Sequence, residues 1–161
     1  MAMIAEEIGQ HLNCVVLPIG QLGLLVPSVC VVEVLPWRRF REIGGTPSSM
    51  LGALTWRGES IPVVRFENLN GATEVTSLDC ECVAVMNRCR SAQGPEFYSI
   101  ATDGLPRMIQ VSEDDVFPEQ THLGVAESAA VKVGRDLLRI PNLGYIEDQL
   151  MGLRPRRANR A

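Results

Sequence analysis

The chain has 161 residues and a mass of 17.7 kDa, is 46% hydrophobic, and carries a formal charge of −4 at pH 7 with a mean hydropathy of +0.09. A chain of this size buries about two-thirds of its unfolded surface, so it can hold a sizeable core, and this composition excludes an intrinsically disordered protein. The charge is unevenly placed. Eleven basic residues face nineteen acidic ones before position 154, leaving that body at −8, while Arg154, Arg156, Arg157 and Arg160 follow. An acidic body is a poor binder of nucleic acid, and the arginine end reads as a disordered, solvated extension.

The longest apolar run, Leu22 to Trp37, is broken by Pro27, Ser28 and Glu33 and so falls short of the roughly 18 residues of a membrane helix. Glu6 and Glu7 stand where a secretory signal would carry positive charge, which points to a cytoplasmic protein without direct membrane insertion. Five cysteines, an odd number, suit reduced thiols better than a disulfide framework.

Along the chain, short apolar runs alternate with turn residues, a texture of strands. Cys14 to Ile19 and Leu22 to Val26 flank Gly20-Gln21 as a hairpin, and Val29 to Leu35 continues with Glu33 as its single charge. Thr46 to Gly52 (TPSSMLG) reads as a short helical turn with Thr46 as cap and Pro47 at the first position. Ala53 to Trp56 and Ile61 to Val64 flank Arg57-Gly58 as a second hairpin, and Pro62 places its strand at an edge or a bulge. The polar stretch Asn68 to Ser77 is a boundary or long loop. Strands follow at Cys80 to Met86, Phe97 to Thr102, Arg107 to Val111, Ala129 to Val133 and Asp136 to Ile140, with a last helix from Asn142 to Met151. The sum is a mainly β protein of two compact halves, since short strands at this spacing close into barrels or sandwiches.

A catalytic set is hard to assemble. His11 and His122 have no nucleophile nearby in sequence, and the motifs of nucleotide binding, zinc hydrolysis and the nucleophile elbow do not occur. IGGTP (43–47) reads as a connecting loop, Glu113 to Asp115 as a solvated loop, and WRRFRE (37–42) as a surface turn or protein-binding patch. Cys80, Cys82 and Cys89 suggest a thiolate cluster. However, CxC on an extended strand holds its sulfurs apart, and Ala84 and Met86 continue the same face, so packing is the better reading.

Arg57 is the residue these readings leave open. Beside a turn glycine, its guanidinium can brace its own turn or face a partner. Here the order Val32-Glu33-Val34, Thr46-Pro47, Gly52, Arg57-Gly58 and Ile61-Pro62-Val63-Val64 resembles the first half of the CheW-like domain family, the chemotaxis coupling proteins. Thr102-Asp103-Gly104-Leu105 and Asp136 to Pro141 are similar to its second half. The resemblance implies an N-terminal extension over 1–12, a single CheW-like domain over 13–152, and an arginine-rich tail over 153–161. That domain would be two small five-stranded β-barrels packed together.

It further implies an adaptor without catalytic residue, cofactor or metal. Such an adaptor bridges the cytoplasmic tip of a chemoreceptor and the regulatory domain of a CheA-type histidine kinase, and is recruited to membrane-associated receptor arrays for chemotaxis or surface motility. Arg57 and Glu33 correspond to family positions near receptor contact or required for coupling, with Val31, Trp56 and Gly58 as neighbouring candidates. The principal coupling protein and a divergent paralogue are both open. The competing classes are a cysteine-based metal or redox protein and an autonomous ligand-binding barrel.

Overall fold

Both faces of the first strand are apolar. Val15, Leu17 and Ile19 point one way and Cys14 and Val16 the other, and all five are buried. A sheet built from such strands cannot leave either face in water, and this requirement organises the molecule. The computed structural model describes residues 11–36, 50–71, 80–90 and 94–150. The readings of 37–49, of the 72–79 part of the polar loop and of the arginine tail lie outside them.

The strands in chain order are β1 (His11–Ile19), β2 (Leu22–Pro27), β3 (Val31–Pro36), β4 (Met50–Trp56), β5 (Glu59–Val64), β6 (Cys82–Asn87), β7 (Phe97–Thr102), β8 (Arg107–Ser112), β9 (Val116–Glu119), β10 (Glu127–Val133) and β11 (Asp136–Pro141). Among the described residues two α-helices accompany them, α1 (Phe66–Leu69) after β5 and α2 (Leu143–Gln149) after β11. The strands form a six-stranded sheet in the order β8-β1-β2-β11-β10-β9 and a five-stranded sheet in the order β3-β6-β7-β5-β4. Each sheet is mixed, with one parallel pair, β2 with β11 and β5 with β7.

Two five-stranded barrels were expected. Two packed mixed sheets are found, neither closed by a backbone ladder. In the larger sheet the reason is local. Its edge strands β8 and β9 are consecutive, and the 3₁₀ turn Glu113–Asp115 between them moves the chain from pairing with β1 to pairing with β10. That turn is held by Asp115, which accepts from the Ser112 hydroxyl at 2.7 Å and from the Ser112 amide at 3.2 Å.

Three apolar layers alternate with the two sheets. The central layer lies between them and contains Leu17, Leu24 and Val26 from one sheet and Met86, Tyr98 and Ile100 from the other, with Phe66 of α1 and Ile146 of α2. Outside the five-stranded sheet lies a second layer with Leu54, Trp56, Ile61, Val63, Val83 and Val85, and outside the six-stranded sheet a third with Cys14, Val16, Leu25, Val131 and Leu138.

Several local expectations change. Ser28–Cys30 is a 3₁₀ turn, so the strand begins at Val31 and not Val29. Met50 to Gly52, taken as the end of a helical turn, belongs to β4 and pairs with β5, because the ladder supplies partners that a single turn could not. Pro62 sits in an interior strand, opposite Ala53. The parallel ladder to β7 begins only at Val63, so no amide is missed there, and the irregularity falls between Met50 and Gly52 on β4. Cys80 precedes β6 and packs with Val83 and Val85, on the side away from Ala84 and Met86.

Polar ties fix the two sheets to one another. Arg65, 4% exposed, donates to Glu67 Oε2 at 2.8 Å, to Asp103 Oδ1 at 3.1 Å and to Cys80 Sγ at 3.3 Å. Asp103 follows β7 and accepts from the Gly20 amide of the β1–β2 turn, while its own amide donates to Pro18 O. Burial raises the Glu67 carboxyl against the pull of Arg65, and it raises the Cys80 thiol likewise. A second tie runs through Asn70 at the end of α1, which donates to Glu127 Oε2 and accepts from Ala126 N–H. A Cβ on Gly124 would fall 2.2 Å from Asn70 Oδ1, so only glycine leaves room for that amide.

Two substitutions separate these contributions. Arg65→Ala strands Glu67 and Asp103 without their cation and is expected to cost about 3 kcal/mol in urea denaturation. Tyr98→Phe removes a fully buried hydroxyl that has no hydrogen-bond partner, so stability should hold or rise by up to about 1 kcal/mol. A clear loss in that variant would mean that the hydroxyl is satisfied in solution.

Candidate functional site

The β4–β5 hairpin has the tightest geometry a hairpin can take. Thr55 pairs with Ser60 and Trp56 with Glu59, leaving Arg57-Gly58 as a two-residue loop. Both loop residues have positive φ, +48° at Arg57 and +78° at Gly58, the signature of the turn whose twist matches the strands it joins. Gly58 adopts this without cost. Arg57 does not: it is the single non-glycine residue with positive φ among the described residues, in a conformation that costs about 1–2 kcal/mol for a residue with a Cβ.

The guanidinium lies over its neighbour, 4.4 Å from the centroid of the Trp56 ring. The indole is itself fixed. It is buried in the outer layer of the five-stranded sheet and meets Phe97 edge-on at 5.0 Å, and its Nε1–H donates to Glu33 Oε2 at 2.8 Å. Arg57 Nη2 stands 3.6 Å from the same oxygen. Glu33, Trp56, Arg57 and Gly58 thus form one constellation. Glu33 belongs to β3 and Trp56 to β4, the opposite edges of the sheet, so the sheet curls until side chains close the gap that its ladder leaves open.

Val31 is not part of this group. It packs partly buried against the central layer, on the other side of the irregularity between Val31 and Glu33. Glu33, expected either on a solvated strand face or at a contact, is half-exposed and already committed to Trp56.

Magnitudes decide how the Arg57 side chain is read. Its ion pair with Glu33 is long, and the two side chains are 65% and 40% exposed, which places it among pairs worth about 0–1 kcal/mol. The stack on Trp56 adds about 0.5–1 kcal/mol. These gains do little more than offset the backbone cost, so folding alone gives no reason for arginine here. What the arrangement provides is a cation held flat on a rigid ring with most of its donors facing solvent, suited to a carboxylate or carbonyl on a partner.

Cys80, Cys82 and Cys89 do not come together at one point. Cys80 lies under Arg65, Cys82 is buried at the start of β6, and Cys89 is exposed beyond its end, beside Cys30. Among the described residues no group of three or more His, Cys, Asp or Glu side chains could hold a metal ion. Also among them, no helix is long and apolar enough to cross a membrane.

Two polar features went unread in the sequence. One is the Arg65 cluster, whose signal is a charged residue directly after four apolar ones in IPVVR. The other is Glu147, 2% exposed, which accepts the Cys89 and Arg90 amides and binds α2 to the end of β6.

A family model, the CheW-like domain, matches residues 13–149. Among curated proteins, no sequence matches this one closely enough to count as a relative. Among solved structures, the chain is similar to the scaffolding protein TtCheW from Thermoanaerobacter tengcongensis, with a TM-score of 0.64 and 18% identity over 81% of this chain and 88% of that one.

The strain at Arg57 gives a direct test. Arg57→Gly removes the guanidinium and relieves the backbone together, so thermal melting should show a midpoint unchanged or higher by up to about 3 °C. A fall of several degrees would mean that the arginine is there to brace its turn.

Proposed function

The chain belongs to the CheW-like domain family, and from that premise we propose that it is a non-catalytic chemosensory adaptor that couples chemoreceptors to a CheA-type histidine kinase. Its partners in this reading are the cytoplasmic tip of a methyl-accepting receptor and the regulatory domain of the kinase. It works in the cytoplasm at membrane-associated receptor arrays, and its output is chemotaxis or surface motility.

One observation carries the assignment of the contact: an arginine in a strained turn, stacked on a buried tryptophan, with an exposed side chain whose contacts do little more than offset the cost of the turn. A strained residue with no net gain to the fold is the kind that function retains. Arg57 makes the partner contact, Trp56 and Gly58 hold it in place, and Glu33 fixes the indole and limits the swing of the guanidinium. Val31 supports the root of the Glu33 strand from within the core and is a contact only where the adjoining surface is also covered.

Arg57→Glu separates contact from bracing. It reverses the charge on the exposed tip and sets a second carboxylate near Glu33, so a melting change of about 3 °C or less is expected, the size of about 1 kcal/mol in a chain of this length. Recovery of receptor and kinase in a pull-down should fall at least tenfold, because like charges now meet the partner's acceptors. Intact recovery at low temperature beside a large melting shift would sink the contact role.

A further inference from the structure

The thiols of Cys30 and Cys89 come from segments 59 positions apart in the chain and line the wall of one cavity of about 470 Å³. The strand register explains the meeting. Val31 of β3 pairs with Met86 of β6, so the next step outward brings Cys30 to the level of Asn87, and the Asn87 side-chain amide donates to Val29 O at 3.0 Å. Cys89 then folds back, its Sγ 3.2 Å from the Asn87 carbonyl, and lines the same cavity wall as Cys30, near enough to push the Cys30 thiol up. Glu147 accepts the Cys89 amide and holds that backbone in place.

Their settings differ in a useful way. Cys89 is exposed, whereas Cys30 is 5% exposed. The other three cysteines, Cys14, Cys80 and Cys82, are all buried, and none of them lines the cavity that Cys30 and Cys89 share. An accessible thiol resting on a shielded one is the arrangement of an attacking and a resolving cysteine.

We propose that Cys89 and Cys30 form a redox-modification site that closes to an intrachain disulfide when the protein meets a peroxide. The Cys89 thiolate attacks one oxygen of hydrogen peroxide and the O–O bond breaks. The departing hydroxide takes up the proton the thiol released and leaves as water, and Cys89 carries S–OH. The Cys30 sulfur then attacks Cys89 Sγ, the S–O bond breaks, and hydroxide leaves with the Cys30 proton as a second water. Two thiols lose two electrons and the peroxide gains them. Cys89 is the exposed thiol and reacts first, while Cys30 is shielded. Burial pushes the Cys30 thiol up to about 12, with Cys89 and Glu147 acting in the same direction and Arg90 against them, which makes it the slower partner. The bond would tie the root of β3 to the segment after β6 across the cavity wall. The proposal does not depend on the adaptor reading.

The test uses the full chain, reduced, then exposed to hydrogen peroxide in small molar excess and mapped under non-reducing conditions. The expected result is a mass loss of about 2 Da, one cross-linked peptide pair containing Cys30 and Cys89, and full reversal by dithiothreitol. In Cys30→Ala the sulfenic acid on Cys89 should persist and be trapped by dimedone. If that variant fails to fold, differential alkylation of the wild-type thiols reads the same pairing. Sulfinic acid on Cys89 of the wild type with Cys30 still a thiol would overturn the proposal. So would a dimer linked through Cys89, or a chain that leaves both thiols unreacted.

Discussion

Strands that are apolar on both faces leave a protein few solutions. Here β1 and β6 each send alternate residues into two different cores, so neither sheet can end at water and the two must stack, with Tyr98, Phe66 and Leu17 filling the space between. The outer face of each sheet is then covered by curling the sheet over its own apolar layer. In the five-stranded sheet that curl brings opposite edges within reach of one another, and Trp56 and Glu33 close it with a side-chain hydrogen bond where no ladder forms. The candidate contact residue therefore stands on a seam, and its orientation is inherited from the packing beneath it.

The polar groups inside this framework hold direction more than they add stability. A buried arginine bonded to Glu67, Asp103 and Cys80 gains little over an apolar residue of similar volume, because desolvation consumes most of the Coulombic attraction. Its value lies in geometry. Through Asp103 it meets the Gly20 amide of the first hairpin, and so sets how one sheet lies on the other. Asn70 in the space left by Gly124, and Glu147 on the amides of Cys89 and Arg90, do the same at other points of the junction.

Most of the strands were legible in the sequence because their cause is local. Alternating apolar runs bounded by Gly20-Gln21, Arg57-Gly58 and Gly134 mark the hairpins directly, and Asn142 marks the start of α2 by accepting the Tyr145 amide. What was not legible depends on partners distant in the chain. β9 was missed because VFPE is short, polar at its end and interrupted by proline, and becomes a strand only against β10. The edge or bulge inferred for Pro62 follows from its missing amide donor, and the chain gives no sign that the ladder to β7 begins only at Val63. The pairing of Arg65 with Asp103, or of Cys30 with Cys89, follows from the register of strands and from no spacing along the chain. Arg57-Gly58 was recognised as a turn, but the positive φ of the arginine, which separates a strained site from an ordinary loop, appears only in three dimensions.

The order of strands has a consequence for how the chain is made. The five-stranded sheet comes entirely from residues between β3 and β7, whereas the six-stranded sheet takes β1 and β2 from the beginning and β8 to β11 from the far end. One sheet is nested inside the other along the polypeptide. As the chain leaves the ribosome, all five strands of the inner sheet are present before the third strand of the outer one exists. The first hairpin, apolar on both sides, must wait through roughly a hundred residues of synthesis for β11 to take its place beside β2. Its interim shelter is the inner sheet, against which Leu17 and Leu24 pack in the finished molecule, so the central layer acts in time as well as in space.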